Sequence, residues 1–143
     1  MKVNRKIQRL LSNNPDNKNK NVCVLAIAKA LGCENDTRYL HNINDLVYAL
    51  RTRHTVRSRA DRAKGKTVGK VRPMLHAIAA EVNAKAFVAR VSGKVGGCGH
   101  VLMFDTGGNT VVDTAPRRRD RRKVTHLYVI YDKAGEDAAS TSD

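Results

Sequence analysis

The chain has 143 residues, enough for one domain with its own core. Hydrophobic residues make up 41% but aromatics only 4%, with no Trp, so the core must rest on Val, Leu, Ile and Ala. No apolar run approaches the roughly 20 residues of a membrane-spanning helix, and the net charge of +14 bears on partners and solubility, not on fold.

In chain order, Val3, Ile7, Leu10 and Leu11 repeat at helical spacing and predict a short basic helix over residues 1–11. The Asn-rich stretch 12–21 reads as a loop with a turn at Asn14-Pro15. Val22 to Leu31 is apolar and Ala-rich and predicts a helix stopped by Gly32. Leu40, Ile43, Leu46, Val47 and Leu50 outline a second, amphipathic helix. Residues 51–72 hold nine Lys or Arg against one acid, Asp61, and are interrupted by Gly65 and Gly69. They are expected to form a mobile loop or a frayed helix extension. Val71, Leu75, Ile78, Ala79 and Val82 predict a third helix, with Pro73 in its first turn.

The pattern then changes period. Phe87 to Val91 and His100 to Phe104 read as strands, the second with His100, Leu102 and Phe104 on one face and Val101 and Met103 on the other. Residues 105–109, DTGGN, signal a hairpin turn, and Thr110 to Asp113 forms the return strand. A charged loop over 117–123 precedes a last strand, Val124 to Tyr131. Residues 132–143 read as a disordered acidic tail. Helices first and strands after make an α+β pattern with one core, a single domain over 1–131.

The cysteines are Cys23, Cys33 and Cys98. An odd count at irregular spacing is no disulfide framework, and free thiols in a reducing, cytoplasmic compartment fit better. Cys23 falls in the first turn of its predicted helix, where unpaired N–H groups and the helix dipole favour a thiolate. It is equally the first apolar residue of a buried helix. Cys33 follows the helix end, where the dipole opposes a thiolate, and reads as structural. Of the five histidines, His100 stands out: it opens a hydrophobic strand after Gly96-Gly97-Cys98-Gly99, and one hairpin later Asp113 closes the return strand. A carboxylate so placed orients and stabilises an imidazolium. Taken singly, His100 also reads as a structural histidine and Asp113 as a turn residue. Cys98-x-His100 offers two zinc ligands with Cys23 or Cys33 as a third, but no second couplet exists, so neither metal nor cofactor is expected.

The segments Asn21-Val22-Cys23-Val24-Leu25-Ala26-Ile27-Ala28 and Gly99-His100-Val101-Leu102-Met103-Phe104-Asp105, followed by Val111-Val112-Asp113-Thr114, resemble papain-like and C39-like cysteine peptidases. They are most similar to small phage proteins of that type. The resemblance covers roughly residues 17–131 and implies N-terminal helices packed on a C-terminal antiparallel sheet. It implies Cys23 as nucleophile, His100 as general base and Asp113 as orienting acid, acting on a protein or peptide substrate. Asn17 stands six residues before Cys23, where papain-like enzymes place the oxyanion amide. Asn19 and Asn21 are alternatives. Papain has Gln at that place, Val22 replaces an acidic or polar residue, and the aromatic residue that commonly follows the cysteine is absent. A catalytically silent protein of the same fold is the alternative reading.

Two basic runs remain: Arg51, Arg53, Arg57, Arg59, Arg62, Lys64 and Lys66, continuing to Lys70 and Arg72, then Arg117, Arg118, Arg119, Arg121, Arg122 and Lys123. They suit a phosphate backbone or an acidic protein partner, and a virion component packed against a genome is a further reading. A solvated basic face is the blander alternative. No aromatic residues are interleaved to stack on bases. Gly65-Lys66-Thr67 matches the end of a phosphate-binding loop, but the upstream glycine and preceding strand are missing.

Overall fold

The computed structural model describes residues 22–33, 42–92, 100–112 and 120–132. The elements, in order, are α1 (Val22–Ala30), α2 (Ile43–Leu50), β1 (His54–Ser58), α3 (Ala60–Ala63), α4 (Val68–Val82), β2 (Ala86–Val91), β3 (His100–Phe104), β4 (Thr110–Val112) and β5 (Val124–Asp132). The five strands form one sheet in the order β1-β5-β2-β3-β4, and every neighbouring pair is antiparallel. The fold is therefore mixed α and β around an antiparallel sheet, as the sequence pattern predicts, but β1 precedes α3 and α4, so the strands do not simply follow the helices.

Alternation along the strands divides the core in two. On one face Val88, Val101, Met103, Val112 and Ile130 meet α1 and α2. On the other, Phe87, Ala89, Leu102, Phe104, Leu127 and Val129 meet α4 through Val68, Val71, Leu75 and Ile78, whose spacing keeps them on one helical stripe. Helices thus cover both faces. From Cys23 to Ala28 every residue of α1 is at most 1% exposed, so this helix is buried round its whole circumference. Asn42 caps α2, its side-chain oxygen accepting from the Asp45 N–H at 3.0 Å.

The expected loop over 51–72 is corrected by β1, α3 and the first turn of α4. His54 and Val56 turn inward while Thr55 and Arg57 lie half-buried, a period of two that the surrounding charge conceals. As an edge strand β1 pairs with β5 alone, and charged residues there discourage further pairing. The His54 Nε2–H donates to the Leu31 carbonyl at 2.8 Å, tying β1 to the end of α1. Because α4 begins at Val68, Pro73 is its sixth residue, past the expected first turn. β5 extends through Asp132, the first residue of the expected tail. The predicted helix over 1–11, the Asn-rich loop and the tail from 133 lie outside the described residues.

Arg72, counted above with the basic run, is a structural clamp. Its Nε donates to Asp120 Oδ1 at 3.0 Å and its Nη1 to the Gly108 carbonyl at 2.9 Å. Its guanidinium carbon lies 5.3 Å from the Phe104 ring centroid. One side chain so joins α4, the β3–β4 hairpin and the turn before β5.

Candidate functional site

Cys23 is the second residue of α1, so its N–H is among the helix-start donors without an intrahelical acceptor. Its Sγ–H donates to the Val101 carbonyl at 2.6 Å, across 78 residues of chain. Val101 directly follows His100 on β3. The helix start and the strand start that the sequence singles out therefore meet. The thiol is 1% exposed and its hydrogen bond to the carbonyl is buried.

His100 opens β3 and is half-buried at the end of the sheet. Strand parity places it with Leu102 and Phe104, on the α4 side, while Val101 and Met103 face α1. The hairpin that carries Asp113 is present, with Met103 paired to Val112. Asp113 itself, with Asn17, Asn19, Asn21, Cys98, Arg117, Arg118 and Arg119, lies outside the described residues. Cys33 is buried, its sulfur 3.7 Å from the Leu31 carbonyl oxygen. Among the described residues no group of three His, Cys, Asp or Glu side chains gathers where a metal ion would sit. None of the described helices is long and apolar enough to cross a membrane.

Register adds two residues that the sequence pattern did not single out. Arg90 is paired with Val101 on one side and His126 on the other, so all three lie in a row on the α1 face. A bulge between Arg90 and Val91 leaves Thr125 as the extra residue of β5. The Thr125 hydroxyl accepts from Arg90 Nη1 at 3.2 Å and lies 3.0 Å from His126 Nδ1. The signal for Arg90 in the sequence is a lone charge in an otherwise apolar strand, AFVARV.

Burial, then the positive charges of Arg90 and Lys64, hold the His126 pKa below its ordinary 6.5. The folded chain therefore binds this proton less readily than the unfolded chain. The contribution is complete above pH 6.5 and is lost as pH falls below it. Replacing His126 by Asn should flatten the acid limb of the stability curve below that pH, measured by urea unfolding at several pH values. An unchanged slope would contradict the assignment.

Among the described residues, the cations do not sort into the two clusters that their order in the sequence suggests. Residues 64–70 run beside residues 120–124, joined by the Gly65 N–H to Val124 O, the Val124 N–H to Lys66 O and the Val68 N–H to Arg122 O, at 2.8, 2.8 and 2.9 Å. Thr67 and Lys123 form a β-bridge. Arg51 and Arg53 precede His54, which pairs with Asp132 at the far end of β5. Eight steps of strand put them on the order of 25 Å away. Arg57, on β1, lies between these ends, and Arg59 and Arg62 flank the start of α3.

No protein-family model matches the chain, and no curated protein or solved structure matches it significantly.

Proposed function

We propose that the chain is a phage-type cysteine hydrolase of papain-like fold, acting in the cytoplasm on a protein or peptide. Cys23 is the nucleophile, His100 the general base and Asp113 the residue that orients the imidazole. The observation that supports this reading is the meeting of Cys23, in the first turn of a buried helix, with the carbonyl of the residue after His100. The reading requires the His100 imidazole, which strand parity turns to the α4 side, to reach the sulfur round the end of β3.

In this mechanism the imidazole takes the thiol proton, and the sulfur attacks an amide carbonyl to form a carbon–sulfur bond. The oxyanion is held by the Cys23 N–H and a side-chain amide, Asn17 in the family's place. Collapse breaks the carbon–nitrogen bond, and the imidazolium gives its proton to the leaving amine. Water, deprotonated by the same imidazole, then cleaves the thioester.

The test is acylation by nitrophenyl acetate. Wild type should release nitrophenolate in a burst and carry a hydroxylamine-sensitive acetyl group on Cys23, located by peptide mass mapping. Cys23→Ala should show neither. Acetylation confined to lysines would overturn the reading.

A further inference from the structure

We infer that the seam between residues 64–70 and residues 120–124 binds the phosphate backbone of duplex nucleic acid. Lys64, Lys66, Lys70, Arg121 and Lys123 are all exposed there. Two stretches more than 50 positions apart are locked side by side by backbone hydrogen bonds, so cations from both sequence runs are gathered along one short stretch of backbone. Arg90 extends the charge to His126, whose protonation is suppressed first by burial and then by the positive charges of Arg90 and Lys64. Asp120, a carboxylate within the seam, is ion-paired with Arg72 at 3.0 Å.

The composition favours nucleic acid over an acidic protein. Protein interfaces draw their affinity from buried aromatic and apolar anchors and are depleted in Lys. The large hydrophobic side chain exposed among the described residues is Tyr48, on α2 and not among the seam residues. A polyphosphate requires only positioned cations and yields affinity by counterion release. Without exposed aromatics at the seam, stacking on single-stranded bases has no platform there.

The experiment is fluorescence anisotropy of a labelled DNA duplex titrated with the full chain at several salt concentrations. Two double variants change the net charge equally: Lys66→Glu/Lys123→Glu in the seam and Arg51→Glu/Arg53→Glu at the other end of β5. The seam pair should lose roughly ten-fold or more in affinity and lower the salt slope by about 2. The far pair should change affinity by less than about three-fold. The seam's hydrogen bonds are made by backbone, so these side chains are replaceable. Should the glutamate pair lose its native circular dichroism, Lys66→Gln/Lys123→Gln repeats the test. Equal losses from both pairs would overturn the inference, as would a wild type that prefers polyglutamate to duplex. Cys23→Ala should bind like wild type, so this result and the hydrolase test succeed or fail separately.

Discussion

Gly108→Ala should lower the unfolding free energy by about 2–5 kcal/mol, the sum of a left-handed backbone for an alanine and a steric collision. Gly108 has φ +83°, and a Cβ built on it runs into the carbonyl of Arg72. That carbonyl is backbone of α4 and cannot swing aside as a side chain would. Relief requires the β3–β4 hairpin to lift from α4, which also pulls the Gly108 carbonyl from the Arg72 guanidinium. Gly65→Ala separates the two contributions. Its φ of +84° is nearly the same, but nothing lies within 4 Å of the added Cβ, so it should cost only about 1–2 kcal/mol. Urea unfolding of both variants measures the difference. Equal losses would mean that the contact with Arg72 is not a fixed feature of the fold. A domain of this size has roughly 5–15 kcal/mol of stability, so the larger loss is readily seen.

Much of the fold was legible because its elements carry clean periods. The run VCVLAIAKA has no alternative to burial, and Gly32 closes it. β3 has the bounds that its alternation predicts, His100 to Phe104. The edge strand β1 was hidden because only His54 and Val56 face the core, among arginines that serve the exposed edge. The early start of α4 was obscured by Gly69 and Pro73. Gly69 sits on the helix because its N–H is taken by the Asp120 carbonyl, a partner 51 residues away. Arg72 looked like one more cation, and only tertiary contacts distinguish a clamp from a solvated charge.

At the candidate site the sequence carries only the local part, and Asp113 and Asn17 lie outside the described residues. Local signals located Cys23 at a helix start and His100 at a strand start, and the two starts do meet. Strand pairing then sets relations that no local signal carries: the Arg90–His126 row on the α1 face and the His100 parity with Leu102. Likewise the two basic runs look separate in the sequence because adjacency across a β-bridge leaves no trace in either run.

The pairing of the Cys23 thiol with the His100 imidazole is the claim on which the enzymatic reading stands. Two influences oppose each other at the sulfur. The helix start and an imidazolium favour thiolate, whereas burial and the Val101 carbonyl favour the neutral thiol. The rate of Cys23 alkylation by iodoacetamide as a function of pH reads the balance directly, with buried Cys33 as the internal comparison. The account predicts that Cys23 reacts ahead of Cys33 and stays reactive at mildly acidic pH. It predicts a fall of roughly 10²-fold in His100→Ala, the lower end of what a positioned base contributes. A Cys23 that reacts no faster than Cys33, or at the same rate with and without the imidazole, would contradict it.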